Sequence, residues 1–318
     1  MNMPIADRTG FAMTSMNNKM MKKVFIIILL ASTISFAQSA GNSGLSFLKF
    51  GFGARNIAMG DAGVAASNDL SALFYNPSRL VSTEMNEVMF MHNEWIQDIR
   101  SEVGGIKWNM FNLPWAVGFN VTTVDDIEVR ERPGDPVSKF NANYFFGSLS
   151  SGFTVVDELE FGETFKYLYE GLLNDESSGY GFDFGLNYFT PIEGLTASTV
   201  IRNVGTMSEL RVEKTKLPTE FRLGGAYNFG LETSKLGFII VGEFQKYLDT
   251  DDIHLIGGGE IIYNETFAAR VGYQSGYEAR SFTGGVGIMW GNLRFDYAYM
   301  PFSLGLGNAN LFSIQFKF

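Results

Sequence analysis

The chain closes on Leu311-Phe312-Ser313-Ile314-Gln315-Phe316-Lys317-Phe318. Phe312, Ile314, Phe316 and Phe318 fall on one face of an extended backbone, and Ser313, Gln315 and Lys317 fall on the other. A period of two belongs to a strand whose faces meet different surroundings. In a water-soluble sheet so aromatic a terminal strand would leave an edge of unpaired backbone groups. In a barrel it closes on the first strand, no edge remains, and the aromatic face meets lipid. An ordinary sandwich strand explains this one segment equally well.

The same rhythm recurs from about Asn86. Tyr180, Phe182, Phe184, Leu186 and Tyr188 oppose Gly181, Asp183, Gly185 and Asn187, while Leu293, Phe295, Tyr297 and Tyr299 oppose Arg294, Asp296 and Ala298. Strands are expected near 86–95, 100–110, 114–124, 141–153, 159–170, 179–190, 195–203, 220–229, 236–246, 252–262, 266–275, 281–290, 292–300 and 310–318. That is an even count of about fourteen, as a single-chain bacterial barrel requires. Connections tend to alternate between roomy and tight. Asp125–Lys139, Gly171–Ser178, Val204–Thr219, Tyr247–Asp251 and Pro301–Ala309 are the roomy ones, and Asn112–Leu113, Pro191–Gly194, Asn264–Glu265 and Gly291 the tight ones. Long loops outside and short turns in the periplasm produce that alternation, which a sandwich has no reason to show. Trp95, Trp108, Trp115, Tyr188, Tyr263 and Trp290 sit near strand ends, where interfacial girdles form.

The N-terminus reads as an export signal. Lys19, Lys22 and Lys23 precede the apolar run Val24–Ala31, and Ser35-Phe36-Ala37 offers small residues for cleavage after Ala37. The residues ahead of the basic cluster read as an over-extended start, with Met20 or Met21 the natural initiator and Gln38 the mature N-terminus. Residues 1–37 hold four of the basic and one of the acidic residues, which leaves 20 basic against 33 acidic, a net of −13. That balance excludes the basic face that nucleic acid requires. No Cys is present, so disulfides and Cys-ligated metals are excluded. The 36 glycines, 30 phenylalanines and only 8 prolines suit a barrel with small lumenal residues and an aromatic exterior.

Residues 38–85 precede the first strand and form the expected plug, or hatch, of a barrel spanning 86–318. A barrel of fourteen strands is too wide for wall side chains alone to fill. Gly51-Phe52-Gly53 and Met59-Gly60-Asp61-Ala62-Gly63 are too glycine-rich for continuous helix, while Asp69–Tyr75 suits a short helix stopped at Asn76-Pro77.

Two blocks here carry a resemblance. Ala54-Arg55-Asn56-Ile57-Ala58-Met59-Gly60-Asp61-Ala62-Gly63-Val64-Ala65 and Asp69-Leu70-Ser71-Ala72-Leu73-Phe74-Tyr75-Asn76-Pro77 resemble the N-terminal signature of the PorV/PorQ family. That family belongs to the wider group of barrels similar to the long-chain fatty acid transporter FadL. His92-Asn93-Glu94-Trp95 fits its first hairpin, and Ser78 departs from the Ala common after Asn-Pro in FadL-type hatches. The resemblance implies a fourteen-stranded barrel in the outer membrane of a Gram-negative, Bacteroidota-like bacterium. The motif residues are Arg55, Met59, Gly60, Asp69, Asn76, Pro77, His92 and Trp95. It also implies one of two roles. The first is an adaptor of type IX secretion that contacts translocon and cargo through the loops bearing Arg130, Glu131, Arg132, Arg211, Glu213 and Lys214. The alternative is a FadL-like transporter of hydrophobic small molecules, with an apolar pocket under Phe74, Tyr75 and Asn76. The terminal aromatics Phe316 and Phe318 resemble the handle by which the barrel-assembly machinery takes up its clients, and outer-membrane lipids are the remaining partner.

Little in the sequence suggests catalysis, and no cofactor is implied. Only His92 and His254 supply imidazoles. His254 is expected in the lumen near Glu260, and His92 in a hydrogen bond holding the hatch or first loop. Asp125-Asp126 and Asp249, Asp251, Asp252 lack the spacing of a calcium loop. The informative charges lie on the small faces of strands: Lys166, Asp183, Arg222, Glu243, Glu260, Arg270, Arg294 and Asp296. An Arg or Lys turned to lipid near the midplane costs about 2–4 kcal/mol, so these point inward. They serve either as ion pairs holding a plug to the wall or as a polar route for substrate.

Overall fold

A computed structural model describes residues 44–83, 85–231, 234–250 and 252–318. The export signal read over 1–37 and the Gln38 start lie outside these residues. In chain order the strands are β1 (Glu87–Glu94), β2 (Ile99–Met110), β3 (Leu113–Val129), β4 (Ser138–Val156), β5 (Leu159–Leu172), β6 (Asp175–Phe189) and β7 (Leu195–Met207). A two-stranded hairpin follows, β8 (Glu209–Leu210) and β9 (Glu213–Lys214). Then come β10 (Glu220–Leu231), β11 (Leu236–Tyr247), β12 (Ile253–Tyr263), β13 (Phe267–Gln274), β14 (Phe282–Trp290), β15 (Leu293–Pro301) and β16 (Asn308–Lys317).

All except β8 and β9 form one closed antiparallel barrel of fourteen strands. The seam joins β1 to β16 from Glu87↔Lys317 to Glu94↔Asn310, so the aromatic C-terminal strand has a partner on both sides. Alternation then separates the two faces. Phe312, Ile314 and Phe316 are exposed on the outer surface, while Leu311, Ser313 and Gln315 are buried. No helix among the described residues is long and apolar enough to cross a membrane.

Three expected loops are shorter than the sequence suggested. Asp125–Lys139 is mostly sheet, because Asp126 adopts φ 57° in a bulge between Val124 and Ile127 and pairing resumes at Ile127↔Phe140. A bulge re-aims a strand without ending it, which leaves 130–137 as the loop. Gly171–Ser178 contracts to a two-residue turn, with Leu173 at φ 56° and Leu172 paired to Asp175. Val204–Thr219 loses its first residues to β7 and contains the β8–β9 hairpin. The tight turn expected at Asn112–Leu113 is Phe111-Asn112, with φ 57° and 61°, the left-handed pair that a two-residue hairpin demands.

Trp108 pairs with Trp115 beside that turn, and Tyr188, Tyr263 and Trp290 lie on the outer face at the same end. Trp95 does not belong to this girdle. It sits at the opposite end with its ring stacked on Phe50 at 4.7 Å.

Residues 44–83 lie within the wall. From Gly51 to Leu80 every residue except Asn68 is buried. A helix at Ala54–Ala58 packs on β13 to β16, and a 3-10 turn at Pro77–Leu80 packs on β3 to β6. The approach of backbone to wall is close. Gly60 has φ +82°, and a Cβ there would stand 3.1 Å from the backbone of Tyr273. Its N–H instead donates to Thr283 Oγ1 at 2.9 Å, and its carbonyl accepts from Gln274 at 2.7 Å.

Candidate functional site

The short helix at Ala72–Tyr75 ends because Pro77 follows Asn76. The Asn76 amide then serves both directions. Its Oδ1 accepts from the Ser78 hydroxyl at 2.7 Å and the Ser78 N–H at 3.2 Å, capping the next turn, in which Pro77 sits at the first position. Its Nδ2 donates to the carbonyls of Val64 at 3.1 Å and of Leu186 on β6 at 3.3 Å. Ser78, the departure from the Ala of FadL-type hatches, therefore adds a hydrogen bond that Ala lacks. Met59 is fully buried with Ala62, Ala226, Ile239, Val241 and Ile256.

Charges connect this segment to the wall in two networks. The first begins at Arg55, which binds Glu260 of β12 at 2.7 Å. Glu260 also binds Arg270 of β13, and Arg270 binds Asp296 of β15 at 2.8 Å. Asp296 holds Arg294 at 2.8 Å, and Arg294 returns to Asp69 at 3.1 Å. The second network joins Arg222 of β10 to Glu243 of β11 at 3.0 Å, and Glu243 accepts the Val64 N–H at 2.7 Å. Arg222 donates to the Asp61 carbonyl at 2.7 Å, and the Tyr75 hydroxyl donates to the Asp61 carboxylate.

Lys166 and Asp183, the remaining small-face charges, pair at 2.7 Å within the wall. Asp183 sits at a register shift of β6 against β7, where its carboxylate accepts the Asn203 N–H at 2.8 Å. All eight charges face the interior. Seven are at least 95% buried, and Arg294 is the most accessible, with 15% side-chain exposure. An isolated charge in such a place is costly, and each here has an oppositely charged partner within 4 Å.

Two further residues, Arg202 and Glu220, join segment and wall. Arg202 binds both Glu220 and the Phe74 carbonyl, so it too ties wall to segment. It stands in register with inward-facing Thr196, Ser198 and Val200 on β7, a signal the alternation carries. Glu220 lies at the first position of β10, where the strand is expected to start.

His92 sits elsewhere than expected, and His254 faces the lumen as expected but does not meet Glu260. His92 shares the outer face of β1 with Phe90, and its Nδ1 meets Glu102 of β2 at 2.6 Å, so it bridges strands and does not touch the segment. His254 is buried on the inner face, but its ring stacks on Tyr277 at 3.8 Å, while Glu260 is engaged by Arg55 and Arg270. No group of three or more His, Cys, Asp or Glu suited to a metal ion occurs among the described residues, of which Asp251 is not one. Asp126 pairs with Lys139 at 3.0 Å. Among the described residues, none of five grooves of about 350–600 Å³ is lined by Phe74, Tyr75 or Asn76. Phe74 is packed instead against Phe52 at 4.8 Å and Phe146 at 6.0 Å.

Comparison with solved structures defines the class of fold. The chain is similar to the Pseudomonas putida toluene transporter TodX, with a TM-score of 0.60, 11% identity, and coverage of 84% of this chain and 98% of that one. It is similar to the CymD monoaromatic hydrocarbon channel, with a TM-score of 0.57, 13% identity, and coverage of 84% and 98%. A Pseudomonas aeruginosa FadL homologue matches with a TM-score of 0.53, 12% identity, and coverage of 83% and 97%. The fold is therefore that of FadL-like outer-membrane barrels. No family model and no curated protein matches the sequence, so the PorV/PorQ resemblance and its type IX role gain no support from these comparisons.

Proposed function

We propose that this barrel passes hydrophobic small molecules across the bacterial outer membrane, with residues 44–83 acting as the hatch that must yield. The observation that carries this reading is the way the segment is held. Beside an apolar cluster that joins Phe52, Leu73 and Phe74 to Met91, Val103 and Phe146, polar and ionic contacts to lumenal side chains fix Arg55, Asp61, Val64 and Asp69 to the wall. Contacts of that kind are specific in geometry and are replaced by water or by one another when a segment shifts. TodX and CymD, barrels of similar fold, are a toluene transporter and a monoaromatic hydrocarbon channel. The reading replaces the secretion adaptor as the favoured role.

The test is a gene deletion scored in two ways, by uptake of labelled toluene and a long-chain hydrocarbon and by the exported proteome. Lost uptake with normal secretion is expected, and restoration by the wild-type gene completes the result. Normal uptake with lost secretion overturns the proposal in favour of the adaptor.

A further inference from the structure

Glu163 stands on the outside of the wall. It is exposed on β5 between outward Phe161 and Phe165, while Gly162, Thr164 and Lys166 are buried on the inner face. Across the strands it pairs with Ser151 of β4 and Phe184 of β6. Four residues separate it from Leu159, which follows the charged turn Asp157-Glu158 and pairs with Tyr188 of the girdle. At a strand tilt of about 40° that spacing lifts Glu163 about 10 Å toward the midplane, inside an apolar band about 25 Å tall.

The position is unlike that of the other outward charges. Among the described residues these lie at the loop end of their strands, as Glu94, Arg100, Glu102, Glu176 and Lys246 do. Glu102 there meets His92 at 2.6 Å, and Glu176 accepts the Tyr169 hydroxyl at 3.1 Å. Glu163 has no hydrogen-bond or ion-pair partner among the described residues. Ser151, the polar group opposite it, donates its hydroxyl to the Pro114 carbonyl at 2.8 Å instead. Beside Glu163 a groove of about 360 Å³ runs between two cross-strand rows of outward side chains. One row is Phe161, Leu186 and Thr199, and the other is Phe184, Ile201 and Phe221.

A carboxylate facing hydrocarbon is costly, and within the bilayer such groups are found paired with a charge of opposite sign. We infer that the outer face of β4 to β7 receives a second membrane-spanning protein. That partner brings an Arg or Lys to Glu163 and seats an apolar side chain in the groove. Charge complementarity selects this occupant. Phospholipid ammonium groups stay with the head groups, at the level of the girdle. A second copy of this chain is also unsuited, because its outward cations, such as Arg100 and Lys246, meet the bilayer at another depth. The inference does not rest on the passage reading.

Photocrosslinking in the outer membrane of the host cell tests it, with benzoylphenylalanine in place of Phe165. The barrel with Glu163 intact should form a discrete adduct with a different protein. Glu163→Gln should cut the yield of that adduct several-fold, and Glu163→Asp should keep most of it. An Arg or Lys in a membrane-spanning element of the captured protein should be required. Changing that cation to Gln should lower the yield as Glu163→Gln does, and combining the two changes should lower it no further. No adduct, an adduct of two copies or of phospholipid alone, or a yield indifferent to Glu163→Gln overturns the proposal. The purified barrel supplies a second reading. Without a partner, Glu163→Gln should leave its thermal midpoint unchanged or raise it, because an amide facing lipid is less costly than a charge. A lowered midpoint would assign Glu163 a role within the barrel and overturn the interface.

Discussion

Arg55 and Asp69 belong to one short segment, yet they are joined through the barrel wall by Glu260, Arg270, Asp296 and Arg294 in sequence. The segment is thus clamped at two points by one alternating row of charges drawn from β12, β13 and β15. Register explains how the row forms. Glu260 faces Arg270 across β12 and β13, and Arg294 and Asp296 are two apart on β15, so all four project to the same side of the sheet.

Glu260 has two cationic partners, as Asp296 does, but of the two it is Glu260 that pairs with the segment, so its removal should be the most disruptive single change in the row. Glu260→Ala leaves Arg55 with no carboxylate within 4 Å in a buried site and Arg270 with Asp296 alone, which costs on the order of 3–5 kcal/mol. Glu260→Gln keeps two polar atoms in place and should cost less. Thermal unfolding followed by heat-modifiable gel mobility should rank wild type above Gln above Ala. Indistinguishable midpoints for all three would show that the row contributes nothing to holding the segment.

Acid should loosen the other end of the clamp. Burial alone would raise the Asp69 carboxyl, but the Arg294 and Arg55 charges and the Ser71 hydrogen bonds outweigh it and hold the group at about 2, below its ordinary 3.8. A depressed carboxylate stabilises the folded state above its unfolded value and loses that contribution as pH falls through the folded one. The wild-type melting temperature should therefore drop between about pH 4 and pH 2 by more than that of Asp69→Asn, which starts lower and has no such group to protonate. Parallel pH profiles for the two proteins would refute this assignment.

Gly60 is predicted to tolerate no side chain. Its φ of +82° is unfavourable for any L-residue, and the Tyr273 backbone stands where a Cβ would go. Gly60→Val should reduce the folded yield or raise protease sensitivity at the segment. Gly291→Val is the control, since that glycine also has positive φ but nothing within 4 Å of its Cβ position. If both variants fold equally well, the close packing at Gly60 is not limiting.

The barrel was legible because alternation is a local property, and fourteen strands with inward charges on their small faces could be read residue by residue. Strand ends were not, because at Asp126 and Leu173 a bulge and a two-residue turn put non-glycine residues in the left-handed region, where no Gly or Pro marks the position. The site was half legible. Alternation gives the facing of Glu260 or Arg294, but not the partner. Pairings such as Arg55 to Glu260 depend on how an irregular segment threads the lumen. Trp95 and His254 show the same limit. A position near a strand end fits a lipid girdle or the lumen alike, and only the path of residues 44–50 decides between them.

Phe318 extends the seam past the last ladder pair, its N–H donating to the Asn86 carbonyl at 2.9 Å while its ring stacks on Phe316 at 5.9 Å. Both rings lie on the exposed outer face, so the terminal residue adds apolar surface for lipid and one backbone hydrogen bond to closure. Phe318→Asp places a charge on that exposed apolar face and should impair insertion. Deleting Phe318 should remove both contributions. Changes at Arg132 or Pro133, in the exposed loop between β3 and β4, touch neither. The expected order of folded yield is wild type and the loop variants together, then the deletion, then Asp. Assembly kinetics in vesicles distinguish the two roles of the residue. If the deletion slows insertion but leaves the thermal midpoint of the assembled barrel unchanged, Phe318 acts as a handle for the assembly machinery. If the midpoint falls as well, it also holds the seam. Unchanged yield for Phe318→Asp would overturn both.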